Sequence, residues 1–304
     1  MSSAAGSVDG FELRIPGSIS NLGPGFDSLA VAVQIYLNLR VTEVRPDAPD
    51  TIETHFADGG PPGENRIETA FRHARARIGT PAPGVSIEAR SDIPTRAGLG
   101  SSGAATLAGL QLYQQLTAPI SSADLLALAA DVEGHPDNAA ASLLGGLTVS
   151  CQRDDGRVTA RAWRWPSDVQ IVVATPEAEL ETPHARRVLP STISMRDAVF
   201  NLQRALLLVH ALAAGTHGDL REALRDRWHQ PARAALVPGL AEALALDDEA
   251  ILGACLSGAG PSIVVFTNGR AAEAQARLSD VYRELGVPST IRLLAVHQPV
   301  IPCE

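Results

Sequence analysis

The sequence predicts an α+β protein of two units, divided near residue 155, and three observations carry that expectation. Val85–Ala89 alternates apolar and polar residues like a strand, then passes through a glycine-rich loop into a long apolar helical stripe. Gln152–Gly156 is a polar turn beyond which the character of the chain changes. After residue 160, short β-branched runs alternate with helical patterns, the mark of a second α+β unit. The expected units are residues 1–155 and 156–304, without internal repeats or low-complexity segments.

In order, Phe11–Ile15 reads as a strand stopped by Pro16-Gly17. Residues 18–28, S-I-S-N-L-G-P-G-F-D-S, are rich in turn formers, yet Leu22 and Phe26 should pack inward. Leu29–Val44 returns to alternation and reads as extended chain, and Pro46–Glu64 reads as a polar surface excursion. Asn65–Ile78 places Ile67, Ala70, Phe71, Ala74 and Ile78 on one helical face. Ser121 and Asp124 suit the start of a helix that stops at Glu133, where glycine and proline break it. An alanine-rich helix, Gly145-Gly146 and a strand at Leu147–Cys151 complete the first unit. In the second, Val169–Ala174, Gly253–Ser257, Ser262–Phe266 and Ile291–Val296 read as strands. Met195–Ala214, Leu220–Trp228 and Ala271–Leu285 read as helices, and Thr182–Pro190 as a polar, arginine-bearing segment.

Pro94–Ala105, P-T-R-A-G-L-G-S-S-G-A-A, is the stretch around which the chemistry gathers. A helix start offers unpaired backbone N–H groups and the positive end of the helix dipole. Gly98, Gly100 and Gly103 let that backbone close on a ligand, while Ser101 and Ser102 add hydroxyls. A phosphate suits such a place, although an ordinary loop with a serine cap also fits the pattern. It is not a Walker A loop, because all 25 basic residues are arginine and the chain has no lysine. That absence also excludes a Schiff-base lysine and the strand lysine of protein kinases.

The net charge of −9, without a basic run, argues against nucleic acid and anionic membranes as partners. The first residues carry neither the basic nor the apolar region of a signal peptide, and Ala205–Ala214 is too short to span a bilayer. Cys151, Cys255 and Cys303 are widely spaced and lack metal-ligand spacing, consistent with reduced thiols in the cytoplasm.

Glu133, His135, Asp137 and Asn138 form a second polar cluster, in E-G-H-P-D-N, expected on one loop. A carboxylate beside a phosphate loop suits Mg²⁺, with Glu133 and a serine hydroxyl as protein oxygens. The alternative is a helix-ending loop whose Asp137 and Asn138 bond their own backbone. His135, His184 and His229 lack i,i+4 partners and suit hydrogen bonding rather than metal. Asn21 and Asp27 suit turn stabilisation. Residues 257–262, S-G-A-G-P-S, join two strands, so a hairpin or close backbone approach is expected there.

Together these stretches resemble one family, the GHMP kinases. P-T-R-A-G-L-G-S-S-G-A-A looks like their signature, and P-G-S-I-S-N-L-G-P-G-F-D-S is most similar to their homoserine kinase branch. E-G-H-P-D-N, A-R-R-V-L-P at 185–190, H-Q-P-A-R at 229–233 and S-G-A-G-P-S follow in family order. The resemblance implies an N-terminal domain like ribosomal protein S5 domain 2 and a C-terminal ferredoxin-like domain. It also implies transfer of the γ-phosphate of ATP to a small alcohol between the domains, here homoserine, and suggests a homodimer. On that resemblance Gly98, Leu99, Gly100, Ser101, Ser102 and Gly103 wrap the phosphates, and Asn65 lies near the adenine. Ser102 and Glu133 hold Mg²⁺, and with Asp137 and Asn138 they form the catalytic group. Asn21, Asp27, Arg186 and Arg233 surround the acceptor. Arginine forks suit its carboxylate, Asp27 its ammonium and Asn138 its hydroxyl. Ile19 and His184 depart from the family pattern, and Ile19 is expected to add bulk beside the substrate. Another hydroxylated amino acid or hydroxy acid, or a non-catalytic sensor on the same fold, stays open at this point.

Overall fold

The computed structural model describes residues 10–57, 59–60, 63–178, 180 and 182–299. Its first sheet contains β1 (Glu12–Ser20), β2 (Leu29–Arg45), β3 (Ile52–Phe56), β4 (Gly84–Ser91), β5 (Leu147–Gln152) and β6 (Val158–Trp163). Their order is β3-β4-β2-β5-β6, with β1 antiparallel to β2. β3 and β4 are parallel and joined through helix α1 (Arg66–Ile78). α2 (Ser101–Leu116), α3 (Ser122–Glu133) and α4 (Asp137–Leu144) complete this unit, and α2 packs against α1, α3, α4 and β1.

α2 has a broad apolar face because most of it is enclosed; Ala104, Leu107, Ala108, Leu110, Leu112 and Tyr113 are all fully buried. Gly109 is the point where α1 crosses it. A Cβ there would stand 2.1 Å from the Ile67 carbonyl oxygen, so only glycine permits that spacing.

The second sheet has the order β10-β7-β9-β8, all antiparallel. β7 is Gln170–Pro176, β8 Gly253–Leu256, β9 Ile263–Thr267 and β10 Ser289–Leu294. Between β7 and β8 run α5 (Thr182–Arg187), α6 (Met195–Ala214), α7 (Leu220–Ala223), α8 (His229–Arg233) and α9 (Leu240–Leu244); α10 (Ala271–Leu285) joins β9 to β10. This is the split βαβ arrangement of a ferredoxin-like domain, as expected. β7 is apolar without alternation because both its faces are covered. Ile171 and Val173 enter a core shared with the first unit, while Val172 and Ala174 enter a second core with α9 and α10.

Four sequence expectations change. β1 does not stop at Pro16-Gly17 but runs on to Ser20, its register against β2 shifting at that step. The excursion at 46–64 contains β3, a strand of mixed polarity at the sheet's edge. β6, half-exposed and polar on one face, had no legible strand signal; it extends the first sheet, so the change of sheet falls between Trp163 and Gln170. The helix expected over Leu220–Trp228 stops after Ala223, because buried Asp226 takes the backbone N–H groups of Trp228 and Gln230.

The units are tied together twice. Gln34 and His297 donate backbone N–H groups to Ala295 and Ala32, so the chain after β10 lies along β2. Opposite, the β8–β9 turn docks on the first unit: Gly258 N–H donates to Ser20 O, Ser262 N–H to Ala97 O, and Ser257 Oγ to Gly98 O at 2.6 Å. The close backbone approach expected of S-G-A-G-P-S is this contact.

Candidate active site

A cleft of about 950 Å³ opens where the units meet. The glycine loop and α2 form its floor. Gly100 has φ +75°, and a Cβ there would lie 2.1 Å from Ser18 Oγ. A Cβ on Gly98 would lie 2.3 Å from Ser257 O. Both glycines therefore serve the docking of the loop on its neighbours as well as its turn. α1, α3 and α6 have side-chain caps from Asn65, Ser121 and Ser194, whereas the N-cap of α2 is Gly100, which has none. The first turn of α2 also lacks acidic residues, so it presents N–H groups and a positive dipole end to the cleft.

Glu133 ends α3 and faces that first turn. Its Oε1 accepts hydrogen bonds from Ser102 Oγ at 2.9 Å and Thr106 Oγ1 at 2.6 Å. Thr106 was not among the expected residues, though its i+4 spacing from Ser102 puts both hydroxyls on one helix face.

Glu133, His135, Asp137 and Asn138 line the cleft, but across a corner rather than on one loop, since Asp137 and Asn138 open α4. Asp137 is 1% exposed, and its Oδ1 is bonded by His135 Nδ1 at 2.6 Å and by Asn138 N–H at 2.8 Å and Nδ2 at 3.2 Å. Ser18 Oγ donates to Asn138 Oδ1 at 2.8 Å, which fixes the other end of that amide. Asp137 is thus the anchor that orients His135 and Asn138. Burial pulls the His135 pKa down, but the hydrogen bond and charge of Asp137 outweigh it and hold it above its ordinary value.

Beside His135 and Asp137, whose polar atoms lie within 4.8 Å of the Asp27 carboxylate, Arg186 on α5 grips Asp27 with two hydrogen bonds of 2.8 and 3.1 Å. Asn21 Oδ1 accepts the Asp27 N–H, and Asn21 Nδ2 donates to Gly258 O. The Asx reading of these two residues therefore holds in part, because Asn21 also reaches the other unit. Arg233 on α8 is 2% exposed and donates to Ala185 O and Gly258 O. Burial and the Arg186 charge lower its pKa to about 10, so it remains cationic near neutral pH.

His229 lies beneath Arg233, with Nε2 2.7 Å from Gly23 O and Nδ1 3.2 Å from the guanidinium. That network fits a neutral ring carrying its proton on Nε2. Burial lowers its pKa, so the unfolded chain binds a proton that the folded protein refuses. This contribution is complete above about pH 6.5 and is lost as pH falls through that range, by at most about 1.4 kcal/mol per unit. NMR of the ring nitrogens at pH 6 is expected to show the neutral Nε2–H form; an imidazolium would contradict the network.

Of the sequence-selected residues, Asn21, Asp27, Asn65, Gly98, Gly100, Ser101, Ser102, Gly103, Glu133, Asp137, Asn138, Arg186 and Arg233 all line this cleft. Asn65 spends its carbonyl oxygen on the α1 cap, bonding Ile67 N–H and Glu68 N–H, which leaves its NH₂ group. Leu99 turns its side chain into the core, so only its backbone faces the loop. Ile19 is also wholly in the core, and it adds no bulk beside the substrate end. His184 is exposed on α5, outside the cleft lining. Cys255 is buried, its thiol pushed up to about 12 by desolvation; Cys151 is exposed, and Cys303 lies outside the described residues. Among the described residues, no helix is long and apolar enough to cross a membrane.

An uncapped helix start, a carboxylate facing it and an arginine-lined pocket beyond define a small-molecule kinase cleft. Residues 65–146 match the model for the GHMP kinases N terminal domain and residues 208–284 that for the GHMP kinases C terminal domain, and the chain belongs to this family. Its relatives include the homoserine kinase of Moorella thermoacetica, 37% identical over 289 residues and covering 93% of this chain and 96% of that one. The homoserine kinase of Solibacter usitatus is 42% identical over 264 residues, covering 84% of each. Among solved structures, homoserine kinase from Cytophaga hutchinsonii matches with a TM-score of 0.82 at 26% identity over 98% of both chains. Lactococcus lactis galactokinase, at a TM-score of 0.74 and 16% identity, shares the fold.

Proposed function

We propose that this protein phosphorylates the side-chain hydroxyl of L-homoserine with MgATP, giving O-phospho-L-homoserine, a step of threonine biosynthesis in the cytoplasm. The observation that carries the acceptor assignment is the paired charge at one end of the cleft. Asp27 suits an ammonium, while Arg186 and Arg233 suit a carboxylate. Asn138 lies between that end and the glycine loop: a Cβ on Gly100 would stand 3.2 Å from Asn138 Oδ1. A hydroxyl oriented by Asn138 therefore faces the phosphate end.

The residues present fit the nucleotide and its metal. The free first turn of α2 suits a phosphate, and Ser102 with Glu133 supplies hard oxygen donors of the type Mg²⁺ prefers. When bound, the cation would neutralise phosphate charge. Around it the chain's own work is positioning: the glycine loop holds the phosphate end, Asp137 holds Asn138, and the arginines hold the acceptor. Phosphoryl transfer has a loose transition state, so alignment and charge neutralisation suffice without a strong general base.

The test is coupled ADP release across homoserine, threonine, serine, mevalonate and shikimate, with the product identified by ³¹P NMR. Robust turnover confined to another alcohol would reject homoserine and leave the kinase standing. A homodimer is part of the proposal. On α6, Met195, Val199, Leu202 and Leu206 are exposed at i, i+4, i+7 and i+11, an uncharged stripe suited to pairing with a second copy. Sedimentation is expected to give twice the chain mass, and a monomer at micromolar concentration would reject that part.

A further inference from the structure

Among the described residues, Phe26 is the aromatic ring that lies under both arginines of the acceptor end, though it does not line the cleft. The Arg186 guanidinium carbon lies 5.6 Å from the centre of its ring and that of Arg233 lies 5.5 Å from it, both over the ring. Two like charges converge there, and each repels the other. Asp27, next in the chain, neutralises Arg186 through two hydrogen bonds, but the direct bonds of Arg233 go to carbonyl oxygens and to His229. The negative face of an aromatic ring attracts a cation within about 6 Å, and more strongly when water is kept away. The ring also packs against Trp228, at 4.8 Å and 45°, and His229, at 5.3 Å and 36°.

We propose that Phe26 is a positioning residue for acceptor binding: its π face holds Arg186 and Arg233 together as a two-pronged carboxylate clamp. This rests on the homoserine reading above and extends it to a residue that touches neither substrate nor nucleotide. An aliphatic residue of similar volume would fill the space and leave the hydrogen bonds of both arginines in place, but the mutual repulsion of the two guanidinium groups would lose the ring's opposing attraction. The penalty then falls on capture of the carboxylate and not on phosphate transfer.

The shape-neutral test replaces Phe26 with phenylalanines carrying one, two and three ring fluorines, which drain the π face stepwise while the fold is kept. KM for homoserine is expected to climb with each fluorine, reaching about tenfold with three, whereas kcat and KM for ATP stay within twofold and Tm is unchanged. Phe26→Leu is expected to reach the same plateau, and Phe26→Tyr to restore wild-type KM. Homoserine turnover by the wild type with a KM indifferent to fluorination overturns this proposal alone. A wild-type enzyme that ignores homoserine and prefers an acceptor without a carboxylate overturns it together with the acceptor assignment.

Discussion

Glu133→Gln is expected to lower kcat about a thousandfold while the protein stays folded. An ATP phosphate tail brings several negative charges into the cleft, and the chain has no lysine to meet them. The start of α2 contributes only about 0.3–1 kcal/mol per charge at exposed sites, which falls far short. On the proposed reading a divalent cation does most of the neutralising, and losing that kind of stabilisation costs several kcal/mol in the transition state. Glutamine keeps a carbonyl oxygen where Glu133 Oε1 now accepts the Ser102 and Thr106 hydroxyls, so the corner between α2 and α3 should survive. Only the charge is removed. Ser102→Ala is expected to be milder, because water can replace a hydroxyl ligand. Both variants are measured at raised Mg²⁺ with circular dichroism as the folding control. A folded Glu133→Gln enzyme running near the wild-type rate would end the metal assignment.

The parts of this site legible in the sequence are those whose chemistry is local. Gly98 to Gly103 lie in one unbroken stretch between a strand and an apolar helix, so loop and helix start could be read together. Glu133 and Asn138 were legible as a cluster, because glycine and proline broke the helical period around them. What could not be read depends on contacts across the chain. The resemblance picks out Arg233, but from its own residues nothing shows that α8 buries it against Ala185 and Gly258, 48 and 25 residues away. Phe26 was legible only as a residue that should pack inward, because its two cationic partners come from α5 and α8. Ile19 shows the opposite error. Its neighbours belong to a substrate-facing loop, but strand alternation in β1 sends its side chain into the core. β3 and β6 escaped notice because each lies at an end of the sheet's path, where one face meets solvent and the apolar signal thins.

Arg186→Ala and Arg233→Ala should both weaken homoserine binding, yet they should differ in what else they damage. Each removes a charge-assisted contact to a carboxylate, worth roughly 1.5–3 kcal/mol, so KM for homoserine should rise by about one to two decades in either case. KM for ATP should hardly change, since the glycine loop lies at the other end of the cleft. Arg186 has a side chain 37% exposed, and among the described residues it is held through Asp27, itself 31% exposed. Such a half-exposed pair contributes about 1 kcal/mol or less to folding, so the Tm of Arg186→Ala should shift by no more than a few degrees. Arg233 is different. Its removal takes the guanidinium donor from the buried carbonyl of Ala185 and one of two side-chain donors from Gly258 O, which keeps Asn21 Nδ2, and leaves His229 Nδ1 without its neighbour. Each unsatisfied buried group costs about 1–3 kcal/mol, partly offset by relief of the repulsion from Arg186. Arg233→Ala should therefore lose stability as well as affinity, with a Tm drop clearly larger than that of Arg186→Ala. Steady-state kinetics in both substrates, paired with thermal melts of each variant, separates the two roles. If KM for homoserine holds while KM for ATP rises, the arginines serve the nucleotide. If the two variants melt together, the carbonyl contacts of Arg233 carry little of the fold.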